Sequence, residues 1–221
     1  MTDLPPSKPR RGFLTRMREN VAGVAATEFA LTLPFFISLG LVGFDTARYV
    51  VTHMRISQIA MHVADNGSRV GEHNVLVARK LYENHINDLL VGADRYAEGL
   101  DLEANGRIIL SSLERNDDDG QWIHWQRCYG DKDHESSYGD EGDGEDGTSF
   151  PGMGPSGAEI TASEGSAVIF VEVAYDYDPV TPFSIFEDAE IVYTGAFNVR
   201  DSRDLTGVYQ TNPTSTVASC D

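Results

Sequence analysis

Basic charge is what this sequence has least of. Its 221 residues carry 17 Lys and Arg against 35 Asp and Glu, a formal charge of −18. A protein that binds nucleic acid by neutralising phosphates needs the opposite balance, so the composition argues against a nucleic-acid partner. Cysteine is nearly absent: Cys128 and Cys220 are too few for a disulfide-dense scaffold and show no CxxC spacing for zinc or redox work. The six histidines form no HExxH or comparable ligand spacing. Gly142–Gly147 spells G-x-G-x-x-G, but it does not lie between a strand and a helix, and its acids would repel a pyrophosphate. No catalytic, cofactor-binding or metal-binding residue is assigned, and the chain is expected not to be an enzyme. Disorder throughout is excluded by a hydrophobic content of 41%. Long apolar runs are also missing, with a single exception.

The exception is Val21–Phe44, where the one charged residue is Glu28. A helix needs about 20 apolar residues to cross the hydrocarbon core, so this run is the candidate membrane span. Residues 1–22 hold Lys8, Arg10, Arg11, Arg16 and Arg18 against Asp3 and Glu19, whereas the rest of the chain is strongly acidic. Lys and Arg beside a span stay cytoplasmic, which places the N-terminus inside and the acidic bulk outside. A cleavable secretory signal is the competing reading. It fits less well, because the run exceeds a usual signal core and Asp45-Thr46-Ala47-Arg48 is a poor cleavage site.

Glu28 is the anomaly in the span. A carboxylate inside a membrane helix costs roughly 2.5 kcal/mol or more on insertion scales and is usually functional. It sits five residues after Gly23, behind a basic leader, in Gly-Val-Ala-Ala-Thr-Glu-Phe-Ala-Leu-Thr-Leu-Pro34. That arrangement resembles the processing site of type IV pilin-like precursors. The Glu28-Phe-Ala-xxx-Pro34 run is similar to the TadE family of tight-adherence (Flp) pilus assembly proteins. Trp125-Gln126-Arg127-Cys128-Tyr129-Gly130 also resembles that family's WxRCxG-type segment. The resemblance implies a pseudopilin or minor pilin of the bacterial inner membrane, with its C-terminal domain in the periplasm or carried into the pilus. It implies that a prepilin peptidase cuts between Gly23 and Val24. It further implies that Glu28 pairs with a neighbouring subunit's N-terminal amine and so sets subunit register. The implied partners are other pilin-like subunits and the pilus assembly platform.

Beyond the span, Asp45–Val63 has no Pro or Gly, and Tyr49, Ile56, Ile59, Ala60 and Val63 recur at helical spacing. The helix is therefore expected to run on to about Asp65, roughly 60 Å in all at 1.5 Å per residue, and to break at Asn66-Gly67-Ser68. Organised by domain, this gives a leader (1–23), a transmembrane and extended helix (24–66) and an exported domain (67–221). A second helix is expected over Asn74–Tyr96, with Ala78, Tyr82, Ile86, Leu89, Ala93 and Tyr96 on its packed face and Arg79, Lys80, Glu83, Asn87 and Asp88 on its polar face.

The period then changes to two. Arg107–Glu114 and Gln121–Tyr129 read as a hairpin around Asn116–Gly120. Ala167–Asp176 and Glu190–Arg200 read as two further strands. The expected fold is α+β, a second helix packed on one face of a largely antiparallel four-stranded sheet.

Residues 131–164 form the long connection. Eight acids fall between Asp131 and Asp146, and such a stretch buries too little apolar area to offset its chain entropy, so a mobile acidic loop is expected. Calcium binding through Asp140, Asp143, Glu145 and Asp146 is the sharper alternative, although no EF-hand spacing is present. Export puts both cysteines in an oxidising compartment. A Cys128–Cys220 bridge would close a loop of about 90 residues, worth around 4 kcal/mol in the loop-entropy model. Two buried thiols or an intersubunit bridge are the alternatives.

Two functional classes follow. One is the pseudopilin-like assembly component, in which Phe29, Leu33 and Phe36 pack between helices. The other is a bitopic cell-envelope module with a retained N-terminus, binding cations or polysaccharide through the acidic loop.

Overall fold

The computed structural model describes residues 22–72, 77–181, 184–200 and 202–220. Its elements in chain order are α1 (Ala22–Arg69), α2 (Glu83–Tyr96), α3 (Leu102–Asn105), β1 (Gly106–Arg115), β2 (Gln121–Tyr129), β3 (Val168–Asp176) and β4 (Glu190–Asn198). The four strands form one antiparallel sheet in the order β2-β1-β3-β4. Contacts divide the chain into two units, with the boundary between Thr46 and Ala47. The basic leader up to Val21 lies outside the described residues, as does the expected helix start at Asn74.

In the second unit, β3 reads VIFVEVAYD, and a nearly continuous apolar strand needs cover on both faces. It has that cover: every residue from Val168 to Tyr175 is buried. On one face Ile108, Leu110, Ile169, Val171 and Val173 meet Ile56, Ile59, Ala60 and Val63 of α1 and Ile86, Leu90 and Ala93 of α2. The spacing of those α1 residues is that of one helical stripe. The helix also comes close to β4, where a Cβ on Gly195 would stand 2.7 Å from the Ala60 carbonyl oxygen.

The opposite face has a cover that the sequence did not suggest. Leu113, Ile123, Val168 and Phe170 pack under Tyr138, Phe150, Met153, Ile160 and Ala162, all from the connection between β2 and β3. The expected mobile loop is thus a folded layer. The expectation weighed only the acidic stretch, whereas most of the covering side chains come after it. The acids themselves serve as acceptors for backbone N–H groups that an irregular chain leaves unpaired. Asp143 accepts from Asp140 N (2.9 Å) and Glu141 from Gln126 N (2.8 Å), and Asp118 of the β1–β2 turn accepts from Gly147 N (2.8 Å). Gly144, at φ +79°, comes so close to the Gln121 carbonyl that no Cβ would fit.

Two helix boundaries differ from expectation. Helix α1 continues through Asn66-Gly67-Ser68 to Arg69. Gly67 fits there because its Cα faces Ile169, Leu89 and Leu110, and Ser68 Oγ donates back to Asp65 O (2.7 Å). The second helix begins only at Glu83. Residues 79–82 are extended and pair in parallel with the C-terminal segment, through Arg79 N→Ser202 O (2.9 Å), Asp204 N→Arg79 O (2.9 Å) and Tyr209 N→Leu81 O (2.8 Å), and the first helical residue adds Glu83 N→Tyr209 O (2.9 Å). The β1–β2 register slips between Ser112 and Leu113, leaving His124 unpaired as a bulge. The extra residue turns Ile123 and Trp125 to opposite faces, one to each apolar cluster.

Candidate assembly interface

The first unit's described part is helical, and no residue from Gly23 to Phe44 is buried. Phe29, Phe35 and Phe36 are each more than 60% exposed. An apolar surface this long is unstable in water, and the helix is long and apolar enough to cross a membrane. Its hydroxyls are already satisfied. Thr27 donates to Val24 O (2.8 Å), Thr32 to Glu28 O (3.0 Å), Ser38 to Pro34 O (2.8 Å) and Thr46 to Val42 O (2.8 Å). A helix in lipid must satisfy its polar groups internally, and these bonds do so. A single N-terminal apolar helix of this kind fits a membrane anchor.

Glu28 stands apart from them. It is exposed, and among the described residues no cation reaches its carboxylate. Arg48 is the first basic residue along the described helix. Gly23 and Val24 lie on the opening turns, exposed, and a Cβ at Gly23 would meet nothing within 4 Å. Val24 and Glu28 share a face at i, i+4 spacing. Phe29, Leu33 and Phe36 lie on a neighbouring stripe, all exposed.

The Trp125–Gly130 segment lies elsewhere, on β2, and ties the second unit together. Trp125 is in the α-facing core. Arg127 reaches the buried Glu83 with Nη2 at 2.7 Å and Nε at 3.1 Å, and Glu141 with Nη1 at 2.9 Å. Burial works against the charged guanidinium, but bonding to Glu83 and then Glu141 outweighs it, so the pKa of Arg127 is raised. Glu83 therefore does not belong to a solvent face. Cys128 and Cys220 stand at disulfide distance, with Cα atoms 4.8 Å apart, and Cys128 N donates to Ala218 O (2.8 Å).

A second charged cluster fastens the acidic connection. Buried Glu172 accepts from Ser137 N (3.0 Å) and Ser137 Oγ (2.5 Å) and lies 3.0 Å from His134 Nε2. Lys132 Nζ contacts Asp176 (2.7 Å) and Glu190 (3.0 Å). Burial opposes the charge on Lys132, yet the two carboxylates prevail and raise its pKa. None of these roles was assigned from the sequence. A polar cleft of about 870 Å³ opens beside this cluster and the cysteine pair. Its cations are engaged: Arg127 and Lys132 as above, and Arg107 by Gly130 O (2.9 Å) and Cys220 O (2.7 Å). Asp140, Asp143, Glu145 and Asp146 are not gathered around a point, and among the described residues no group of three His, Cys, Asp or Glu is arranged to hold a metal.

Residues 23–65 match the family model described as TadE-like protein. The match starts at Gly23, contains Glu28 and Pro34, and ends within α1. Neither a curated protein nor a solved structure matches the chain.

Proposed function

We propose that this chain is a membrane-anchored, pseudopilin-like component of tight-adherence (Flp) pilus assembly, acting through packing of its apolar helix with other pilin-like subunits. The observation that carries this reading is the TadE-like match at residues 23–65, laid over an apolar helix whose lone carboxylate has no cation among the described residues. A carboxylate in hydrocarbon needs a positive partner, and pairing is what makes its burial tolerable. Cleavage after Gly23 by a prepilin peptidase creates an amine at Val24. The Val24 amine of one subunit meeting Glu28 of the next would neutralise both and fix their axial offset. Phe29, Leu33 and Phe36 fill the space between helices. The N-terminus is cytoplasmic and the second unit periplasmic, in the inner membrane or carried into the pilus. The role is structural and the chain is not an enzyme.

The test is N-terminal sequencing and intact mass on protein from native membranes. A start at Val24 supports the assignment. A start at Met1 or Thr2 overturns the processing step and shifts the reading to a stably anchored envelope module.

A further inference from the structure

In the second unit β3 runs against α1. Ile169, at the start of the strand, faces Gly67 near the end of the helix. Tyr177, just past the end of the strand, meets Tyr49 with ring centres 5.1 Å apart. The β3–β4 connection therefore leaves the sheet at the end where α1 enters the unit. Aromatic packing fixes it there. Phe186 stacks on Tyr49 at 4.1 Å with the rings 10° apart, and Tyr177 stands edge-on to both. Its described backbone is closed by bonds of its own. Tyr177 N donates to Ala189 O (2.9 Å), Ser184 N to Thr181 O (3.2 Å), Ala189 N to Phe186 O (3.2 Å) and Phe186 N to Ser184 Oγ (3.1 Å).

This fastened connection holds apolar side chains in the open. Ile185 is 76% exposed, more than any other large apolar side chain described in the second unit, and Val180 is 48% exposed. One exposed apolar residue calls for no explanation. Two on a single connection, backed by stacked aromatics at the end of the unit nearest the apolar run, call for an apolar neighbour. Three exposed carboxylates, Asp178, Glu187 and Asp188, flank them.

Chain length says which neighbour is in reach. Phe44 closes the apolar run, and Tyr49 follows five residues later. Five residues reach at most about 18 Å when fully extended. As part of α1, which is unbroken there, they advance only about 7.5 Å. The headgroup layer on each side of a bilayer is roughly 5–7 Å deep. Whatever the angle between the two units, Tyr49 and the ring stacked on it stay close to that layer, where aromatic side chains are favoured.

We infer that the β3–β4 connection is a second, shallow membrane contact. Ile185 and Val180 enter the interfacial layer of the bilayer that the apolar helix crosses, while Asp178, Glu187 and Asp188 stay in its hydrated outer part. Burial of apolar side chains drives the contact, as for other interfacial segments. Attachment through both the helix and the connection restricts how the second unit swings over the bilayer. The inference rests on the anchored reading of the apolar helix given above.

The experiment places single full-length chains in phosphatidylcholine nanodiscs and reads tryptophan quenching by lipids brominated near the top of the acyl chain or deep within it. Ile185→Trp is the reporter. Glu164→Trp, exposed in the turn before β3 and so at the other end of the strand, is the control. The natural protein supplies the background from Trp122 and Trp125. The expected result is that Ile185→Trp emission shifts to shorter wavelength and loses intensity, more to shallow bromines than to deep ones, while Glu164→Trp responds to neither. Adding Val180→Asp to Ile185→Trp reduces the loss. The natural side chain repeats the test without substitution at 185: the Ile185 methyl resonances broaden when the lipid carries a spin label at the top of its acyl chain. Emission from Ile185→Trp that behaves like Glu164→Trp overturns the proposal. A shift to shorter wavelength without bromine quenching also overturns it, because protein and not lipid then covers the residue. Phe36→Trp, within the apolar run, separates the two readings. Quenching there by deep bromines with none at Ile185→Trp fails the connection alone, and no quenching at Phe36→Trp fails the anchor.

Discussion

Arg127 Nη2 stands 2.7 Å from Glu83 Oε1, joining β2 to the first turn of α2 across 44 residues of sequence. Both side chains are nearly buried, and Glu83 has Arg127 as its cation whereas Arg127 also reaches Glu141. Arg127→Met should cost about 3–5 kcal/mol, because it strands the buried Glu83 carboxylate, and Glu83→Leu should cost less, because Arg127 keeps its bond to Glu141. The double variant should cost less than the sum. Chemical denaturation of the full chain in detergent measures all three, and simple additivity would show that the pair is not coupled.

Gly195 is required by the α1–β4 approach. Gly195→Ala drives a Cβ into the Ala60 carbonyl and should destabilise by about 1–3 kcal/mol through overpacking. Gly92, in α2, has open space at its Cβ position, so Gly92→Ala should stabilise by about 0.5–1 kcal/mol. Melting curves of the two variants should therefore move in opposite directions.

The Cys128–Cys220 pair holds residues 217–220 against β2. Cys220→Ser should lower stability by about 2–5 kcal/mol and make the chain beyond Thr216 sensitive to protease. Unchanged resistance of that segment would show that its backbone and Arg107 contacts suffice.

Lys132 carries a pKa raised above 10.5 by Asp176 and Glu190. A base with a raised folded pKa contributes stability that is fully present below 10.5 and lost as pH climbs through the folded value. The melting-temperature gap between the natural protein and Lys132→Met should thus hold steady up to pH 10.5 and close above it. A gap that stays constant at higher pH would assign the effect to packing of the lysine stem.

Glu28→Ala removes the lone carboxylate of the apolar run. Membrane localisation should be retained, and pilus assembly should be lost. Fractionation checks the first and shear-released pilus material the second. Loss of localisation would mean that Glu28 serves insertion or folding.

The four strands and the long helix were legible because period and composition agree there: the stripe Tyr49–Val63 and the run Val168–Asp176 bury the faces that their spacing dictates. The disulfide partners followed from compartment and count. What stayed hidden depends on contacts distant in sequence. Helical spacing from Ala78 to Tyr82 is overridden by backbone bonds to Ser202, Asp204 and Tyr209, which no local pattern announces. Glu83 looks like a surface acid until Arg127 is brought to it. His124 looks like any strand residue until its bulge sends Ile123 and Trp125 to different cores. The acidic connection looked disordered because its apolar anchors, Phe150, Met153 and Ile160, lie past the charges.

The pairing of residues 79–83 with 202–209, and of Cys128 with a cysteine 92 positions later, has a consequence for biogenesis. The start of α2 and the margin of the hairpin can form early, but each waits for a downstream segment to arrive before it is closed. Until then the extended segment before α2 and the end of β2 have bare backbone, and the Cys128 thiol is unpaired. A chaperone or thiol oxidase would have its substrate in that interval, and a delay in delivering the final stretch would lengthen it.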